Sequence, residues 1–351
     1  MDLNSPTEFS TIDRENMLAH IDGLPDQLAQ AWKLGDSLPL PVKLPFDRVV
    51  VAGMGGSAIG ADLLRAYCED ELSIPFIVHR NYGLPAFARG GNTLVIASSH
   101  SGNTEEVLSA YTAAMENGCQ VMALTTGGKL EQMALNAGNL VWKFTHTGQP
   151  RTAVGYSFGL LHAILTRLGL IRLSVDEKAN LIARLKSYQE KLNAQIPVIQ
   201  NPAKRQAGNL IGRHVTFYGS GFLAPVAMRW KTQLNEVAKA FASFEVLPEA
   251  DHNTLAGICN PADFNYREYA VFLDATCNDA RNRLRSEKTK DILMLEGIAT
   301  DTIQARGDDR LEQLWSMILF GDYMAYYLAL AYDTDPTPIP PIVALKEAMR
   351  D

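Results

Sequence analysis

Six consecutive residues, Ser99-His100-Ser101-Gly102-Asn103-Thr104, have the types and spacing to hold an anion. Three hydroxyls can donate to ligand oxygens, and Gly102 lets a ligand approach the backbone closely. The apolar run Thr93–Ala97 before them and the helical pattern Glu105–Tyr111 after them predict a buried strand, a tight turn and a helix start. A helix start turns unsatisfied N–H groups and the positive end of its dipole toward the preceding loop, which suits phosphate. Capping alone would need one polar residue here. Three hydroxyls in one turn favour an anion site.

Two glycine runs, Gly53-Met54-Gly55-Gly56-Ser57-Ala58 and Gly219-Ser220-Gly221-Phe222-Leu223-Ala224, satisfy a loose G-x-G-x-x-A pattern. A nicotinamide or flavin site is therefore a rival reading. Such a site wants an acid after the second strand to hold a ribose, and His79-Arg80-Asn81 stands there instead. Arg80 could read an extra ribose phosphate, so the pattern alone does not decide. Gly55, Gly56 and Ser57 fit better as a companion to the hydroxyl turn. Strands of a parallel sheet end on one edge, so one turn can clasp a phosphate while the other lays bare backbone against a sugar. At Gly219–Gly221 close strand–helix packing is sufficient reason for glycine.

Acid–base candidates come from the second half: Glu236 in a predicted helix, and His252 in Leu247-Pro248-Glu249-Ala250-Asp251-His252-Asn253. A carboxylate and an imidazole suit proton abstraction beside a carbonyl and protonation of a ring oxygen. By residue type alone, a helical Glu is a surface group and a loop His incidental.

The elements that must position these residues repeat one plan. A helical lead-in, amphipathic over Ile12–Ala31, and a Pro-rich connector, Leu38–Pro45, occupy residues 1–47. Strands are predicted at Arg48–Ala52, Ile74–His79, Thr93–Ala97, Gln120–Thr125 and Leu140–Phe144. A glycine turn over Met54–Ile59 and a helix over Gly60–Tyr67 follow the first of them. A second cycle has strands at His214–Tyr218, Glu245–Leu247, Tyr269–Leu273 and Asp301–Ala305, with a helix from the glycine turn through Lys239. Strand–helix alternation implies an α/β fold with parallel sheets covered on both faces, here two α/β/α sandwiches in tandem. The expected division is 48–154 and 201–335 for the two sandwiches, 155–200 for linking helices, and 336–351 for a C-terminal segment with a short helix, Ile342–Met349.

A length of 351 residues suffices for two domains with their own cores, and 47% hydrophobic with 20% charged residues is ordinary for a globular protein. The net charge of −7 argues against a nucleic-acid partner, which needs a basic face. No apolar run reaches membrane-spanning length, and Met1-Asp2-Leu3-Asn4-Ser5-Pro6 lacks a secretion signal's basic and apolar regions. Cys68, Cys119, Cys259 and Cys277 are scattered, and no His/Cys cluster has metal-ligand spacing. Reduced thiols in a cytoplasmic protein without a metal or cofactor are expected.

Five separated motifs carry a resemblance: Gly53–Gly60, Ser99–Glu105, Pro150-Arg151, Asn235-Glu236 and Pro248–Asn253. In order and spacing the chain resembles the bifunctional phosphoglucose/phosphomannose isomerases, built from two sugar-isomerase (SIS) domains. The resemblance runs from about residue 48 to the C-terminus. It implies a metal-independent aldose–ketose isomerase of hexose 6-phosphates, without cofactor, working through a cis-enediol(ate). Gly55, Gly56 and Ser57 would contact the sugar, and Ser99, Ser101 and Thr104 the phosphate. Arg151 would stand beside the enediolate, Glu236 would be the base, and Lys346 would lie near the ring oxygen. His252 would open the ring from the neighbouring subunit of a homodimer.

Three departures stand out. His100 replaces an aromatic Tyr of the family and is expected to face solvent as a turn residue. Val237-Ala238-Lys239 is less polar than expected after Asn-Glu. The Pro-rich register around Thr337 leaves the residue favouring mannose phosphate unplaced. A non-catalytic sugar-phosphate sensor would keep the hydroxyl turn without the acid–base residues. Amino-sugar chemistry as in glucosamine 6-phosphate synthase would require an N-terminal nucleophilic cysteine, and the first cysteine here is Cys68.

Overall fold

The computed structural model describes residues 1–41, 45–261, 263 and 265–349. Val42-Lys43-Leu44 of the expected connector and the last two residues of the C-terminal segment lie outside the described residues. The chain divides into two compact units, Gly23–Ala183 and Met1–Asp22 with Arg184–Asp351. The division runs through the lead-in and through helix α7 (Val175–Gln189).

The lead-in is not one helix over Ile12–Ala31. A 3-10 turn (Pro6–Thr11), α1 (Met17–Asp22) and α2 (Leu24–Ser37) replace it. Asn16 is left-handed (φ 55°), and Asp13 accepts from the N–H groups of Met17 (2.7 Å) and Leu18 (3.0 Å), restarting the helix there.

In the Gly23–Ala183 unit a five-stranded parallel sheet has the order β2-β1-β3-β4-β5. Its strands are β1 (Arg48–Gly53), β2 (Phe76–His79), β3 (Thr93–Ser99), β4 (Gln120–Thr125) and β5 (Leu140–Lys143). The helices between them are α3 (Gly55–Tyr67), α4 (Glu105–Glu116) and α5 (Gly128–Asn136), the last unpredicted. β1 to β2 runs one way along the sheet and β3 to β4 to β5 the other. Right-handed crossovers therefore put α3 on one face and α4 and α5 on the opposite one. β3 is buried along its whole length, as a central parallel strand should be. α6 (Val154–Arg167) packs on both α2 and α3.

The second unit repeats the plan with four parallel strands, ordered β7-β6-β8-β9. These are β6 (His214–Ser220), β7 (Ala242–Leu247), β8 (Glu268–Asp274) and β9 (Ala299–Gln304). Its helices are α8 (Pro202–Leu210), α9 (Ala224–Gln233), α10 (Ala280–Leu295), α11 (Arg310–Ala331) and α12 (Pro340–Ala348). The predicted helix through Lys239 stops at Gln233 and continues as a π turn, Leu234–Ala238. Lys239 is left-handed (φ 54°) and ends it.

Contrary to the expectation of no apolar run of membrane-spanning length, α11 is long and apolar enough to cross a membrane, and 94% of its apolar window is buried. Its polar groups explain that burial. Asp322 accepts from Arg229 (2.6 Å) and Gln233 (2.9 Å), so the charge is paired inside the core. Tyr326 donates to Asp13 (3.1 Å), fastening the N-terminal segment to the unit, and Tyr327 donates to the Leu192 carbonyl (2.6 Å). Lys204 adds a second tie to that segment, donating to the Leu3 carbonyl at 2.7 Å.

Candidate active site

The strand order reverses between β1 and β3, and that switch point is where an open α/β sheet leaves a crevice at its carboxyl edge. Gly53 lies opposite Ser98 in register, so the glycine run and the hydroxyl turn leave the sheet side by side. Contrary to the predicted turn over Met54–Ile59, Gly55 already opens α3. Met54 is extended (φ −126°, ψ 157°) and Gly55 has φ 47°, so the chain passes from strand to helix in one residue. A Cβ on Gly56 would stand 2.4 Å from the Pro150 carbonyl oxygen, so only glycine lets the Pro150–Thr152 turn close here.

That contact brings Arg151, 3% exposed, to the same edge. Ser57 is buried and its Oγ accepts from the His100 N–H at 3.2 Å, joining the two turns directly. Ser99 Oγ lies 2.9 Å from Thr104 Oγ1 and accepts from the Gly102 N–H at 3.1 Å. Gly102 takes φ 66°, and a Cβ there would meet the Gly127 carbonyl at 1.8 Å. Ser101 Oγ accepts from the Asn103 N–H (3.2 Å) and is exposed. Thr104 is the N-cap of α4 yet makes no side-chain cap bond, because its hydroxyl turns to Ser99. The first N–H groups of α4 are thus not used by their own cap, the condition for an anion at a helix start.

All seven sequence-predicted residues of this unit, Gly55, Gly56, Ser57, Ser99, Ser101, Thr104 and Arg151, gather at one sheet edge. His100 departs from the expectation of a solvent-facing ring. It is half-buried, with Nε2 2.9 Å from His146 Nδ1, and burial pushes its pKa below the ordinary histidine value. The reason is packing: Phe144 and Tyr156 stack at 5.0 Å and offer an apolar wall to both imidazoles. Arg80, the candidate ribose-phosphate reader, is instead paired with Asp62 of α3 through both its terminal nitrogens.

The corresponding edge of the second unit is built differently. After β6, Asn278 donates to Ser220 Oγ (2.7 Å) and to its carbonyl (3.0 Å). Asp279 caps α10, accepting from the Arg281 (2.8 Å) and Asn282 (3.2 Å) N–H groups. A carboxylate of the chain itself therefore occupies the helix start that an anion would use.

Glu236 sits at the centre of the π turn, half-buried, on a local geometry often found at functional positions. The turn is closed by Asn235, whose Nδ2 donates to the Ala240 carbonyl (2.8 Å), and by Lys239. Lys239 Nζ donates to the carbonyls of Glu236 (2.7 Å), Val237 (3.3 Å) and Pro336 (3.0 Å). His252 ends a 3-10 turn (Glu249–His252) and is exposed. Lys346 lies on α12, none of whose residues is buried. These three stand on separate elements of their unit. Thr337 is buried, its N–H donating to Asp335 Oδ1 at 3.0 Å.

Sequence reasoning missed His146 and Thr152, which lie beside the cradle, and the role of Lys239. Both histidines were visible, but nothing in a separation of forty-six residues marks them as partners.

Residues 199–349 match the family described as bacterial phospho-glucose isomerase C-terminal SIS domain. A bifunctional phosphoglucose/phosphomannose isomerase from Caldicellulosiruptor bescii is 39% identical over 337 residues, covering 95% of this chain and 99% of that protein. The chain belongs to the bifunctional phosphoglucose/phosphomannose isomerase family. A second member, from Aquifex aeolicus, is 31% identical and covers 87% of this chain and 91% of its own length. Among solved structures, tagatose-6-phosphate ketose/aldose isomerase from Escherichia coli superposes with a TM-score of 0.73 at 16% identity. It covers 92% of this chain and 95% of its own, a likeness that concerns the fold alone. For this family the expected two-SIS α/β fold with parallel sheets is the observed one.

Proposed function

We propose that this chain is an aldose–ketose isomerase that interconverts glucose 6-phosphate and mannose 6-phosphate with fructose 6-phosphate, without a metal. Family membership over nearly the whole chain supports the reaction class. The observation that carries the reading is the hydroxyl turn at the β1/β3 switch point, with the α4 start left open by its own cap.

In this reading Ser99, Ser101, Thr104 and the α4 N–H groups hold the phosphate, and Gly55, Gly56 and Ser57 lie along the sugar. His252, donated across a homodimer interface, protonates the ring oxygen as the ring opens, with Lys346 beside that oxygen. Glu236 takes the proton from C2 of the aldose, and the electron pair forms the C1–C2 double bond of a cis-enediolate. Arg151, a fixed cation, lowers the energy of the oxyanion without reorganising. Return of the proton to C1, with transfer of the O2 proton to O1, gives the ketose. Cys68, Cys119, Cys259 and Cys277 are thiols rather than disulfides, which is compatible with a reducing cytoplasm.

The test is a coupled assay of the purified protein with each hexose 6-phosphate, with and without a chelator, beside Glu236→Gln. Turnover on both sugars despite the chelator is expected. Glu236→Gln is expected to lose about 10²–10⁴-fold in turnover while still binding sugar phosphate. Binding without turnover in the wild type would place the chain among sensors, and activity restored only by added zinc would overturn the metal-free route.

A further inference from the structure

Two imidazoles that the reaction scheme leaves idle are built into the Gly23–Ala183 unit as one device. The His100 main chain is pinned on both sides. Its N–H donates to Ser57 Oγ at 3.2 Å, and its carbonyl accepts from the Thr126 N–H (3.1 Å) and hydroxyl (2.7 Å). Its ring meets His146 edge-on, with centroids 5.1 Å apart at 85°. The facing nitrogens, His100 Nε2 and His146 Nδ1, are 2.9 Å apart, so one proton lies between them.

The next contacts set the direction of that bond for neutral rings. Thr152 Oγ1 donates to the Gln149 carbonyl at 2.8 Å and stands 3.5 Å from His146 Nε2. The hydroxyl therefore accepts from His146 Nε2–H. Nδ1 of the same ring is then the acceptor, and His100 Nε2–H the donor. Burial holds His100 below its ordinary pKa, consistent with a neutral ring. The chain of donors runs His100 to His146 to Thr152 to Gln149, from the hydroxyl turn into the turn that carries buried Arg151.

We propose that the His100–His146 pair is a positioning device that couples the hydroxyl turn to the Pro150–Thr152 turn and thereby sets the place of Arg151. The proposal rests on the isomerase reading above. An Arg set against developing charge matters in the transition state and little in the ground state, so its misplacement lowers kcat and spares KM.

The experiment compares His100→Phe, His146→Phe and His146→Asn with wild type in steady-state turnover of glucose 6-phosphate. It is joined by nitrogen NMR of the wild-type histidines. The Phe variants keep an aromatic ring in the wall and lose the N–H···N bond. Each is expected to lose about 10- to 100-fold in kcat with KM within about twofold. His146→Asn, whose Oδ1 takes the place of Nδ1, is expected to recover part of that loss. The spectra should show His146 protonated at Nε2 and bare at Nδ1. A rise in KM at unchanged kcat, or lowered Tm with unchanged kinetics, overturns the proposal, as does the opposite tautomer of His146. A wild type inactive on every hexose 6-phosphate overturns the reading beneath it, an outcome distinct from an active wild type whose variants match it.

Discussion

The ammonium of Lys239 donates to the main-chain carbonyl of Glu236 at 2.7 Å while its own backbone sits at φ 54°. A non-glycine residue holds that conformation at a cost of about 1 kcal/mol or more, so its side chain must return something. Three carbonyls on one ammonium are that return, and they tie the π turn to Pro336. Lys239→Met is expected to lower stability by about 1–2 kcal/mol and isomerase turnover about tenfold, with substrate affinity kept. Lys239→Gly, free of backbone strain, should regain stability but not turnover. Urea unfolding and steady-state kinetics read both; wild-type turnover in Lys239→Met would refute the positioning role.

Gly102→Ala forces a Cβ to within 1.8 Å of the Gly127 carbonyl at φ 66°. The turn must open, at an expected cost of about 3 kcal/mol. Inorganic phosphate should raise the Tm of wild type and leave that of Gly102→Ala unmoved. An equal shift in both would show that phosphate binds elsewhere.

His162 is fully buried on α6, with the rings of Trp32, Tyr67 and Phe158 centred 5.8, 6.2 and 5.8 Å away. Burial first, and the charge of Lys178 second, push its pKa down to about 3 from 6.5. Between those values the unfolded chain binds a proton that the folded chain refuses, so stability is full above pH 6.5 and falls as pH drops toward 3. The loss should be about 2 kcal/mol by pH 5. His162→Phe removes this dependence. Urea midpoints at pH 7 and pH 5 compare the two proteins, and parallel falls would refute the assignment.

Asp322 is buried against Arg229 and Gln233, and burial pushes its carboxyl up while Arg229 draws it down. Asp322→Ala removes the carboxylate partner of a buried guanidinium and should cost about 3–5 kcal/mol. Replacing the pair together, Arg229→Met with Asp322→Leu, should be close to neutral. Denaturant unfolding of Arg229→Met, Asp322→Leu and the double variant gives the coupling energy. Additive losses would mean that the pair does not interact.

The fold was legible wherever local pattern and burial agree. β3, β4 and β8 read as apolar runs because parallel central strands are covered on both faces. The hydroxyl turn was legible because strand, turn and helix start are consecutive in the chain. The lead-in is helical, but its amphipathic periodicity runs on across Asn16 and Gly23 and so hides the break: left-handed Asn16, with Asp13 accepting from the Met17 N–H, starts α1 there. α5 passed unseen because its start, Gly127-Gly128, reads as a loop.

Residue types along the chain determined what chemistry is on offer: hydroxyls at a helix start, glycines where backbone must be bare, a carboxylate after Asn235. Tertiary structure decided which groups meet. The pairing of His100 with His146, the closure of Pro150 on Gly56, and the tie of Lys239 to Pro336 arise from strand order and packing. Local sequence sets backbone conformation through short-range sterics and hydrogen bonds. Contacts between distant residues depend on how buried surfaces fit together, and no spacing in the chain records that.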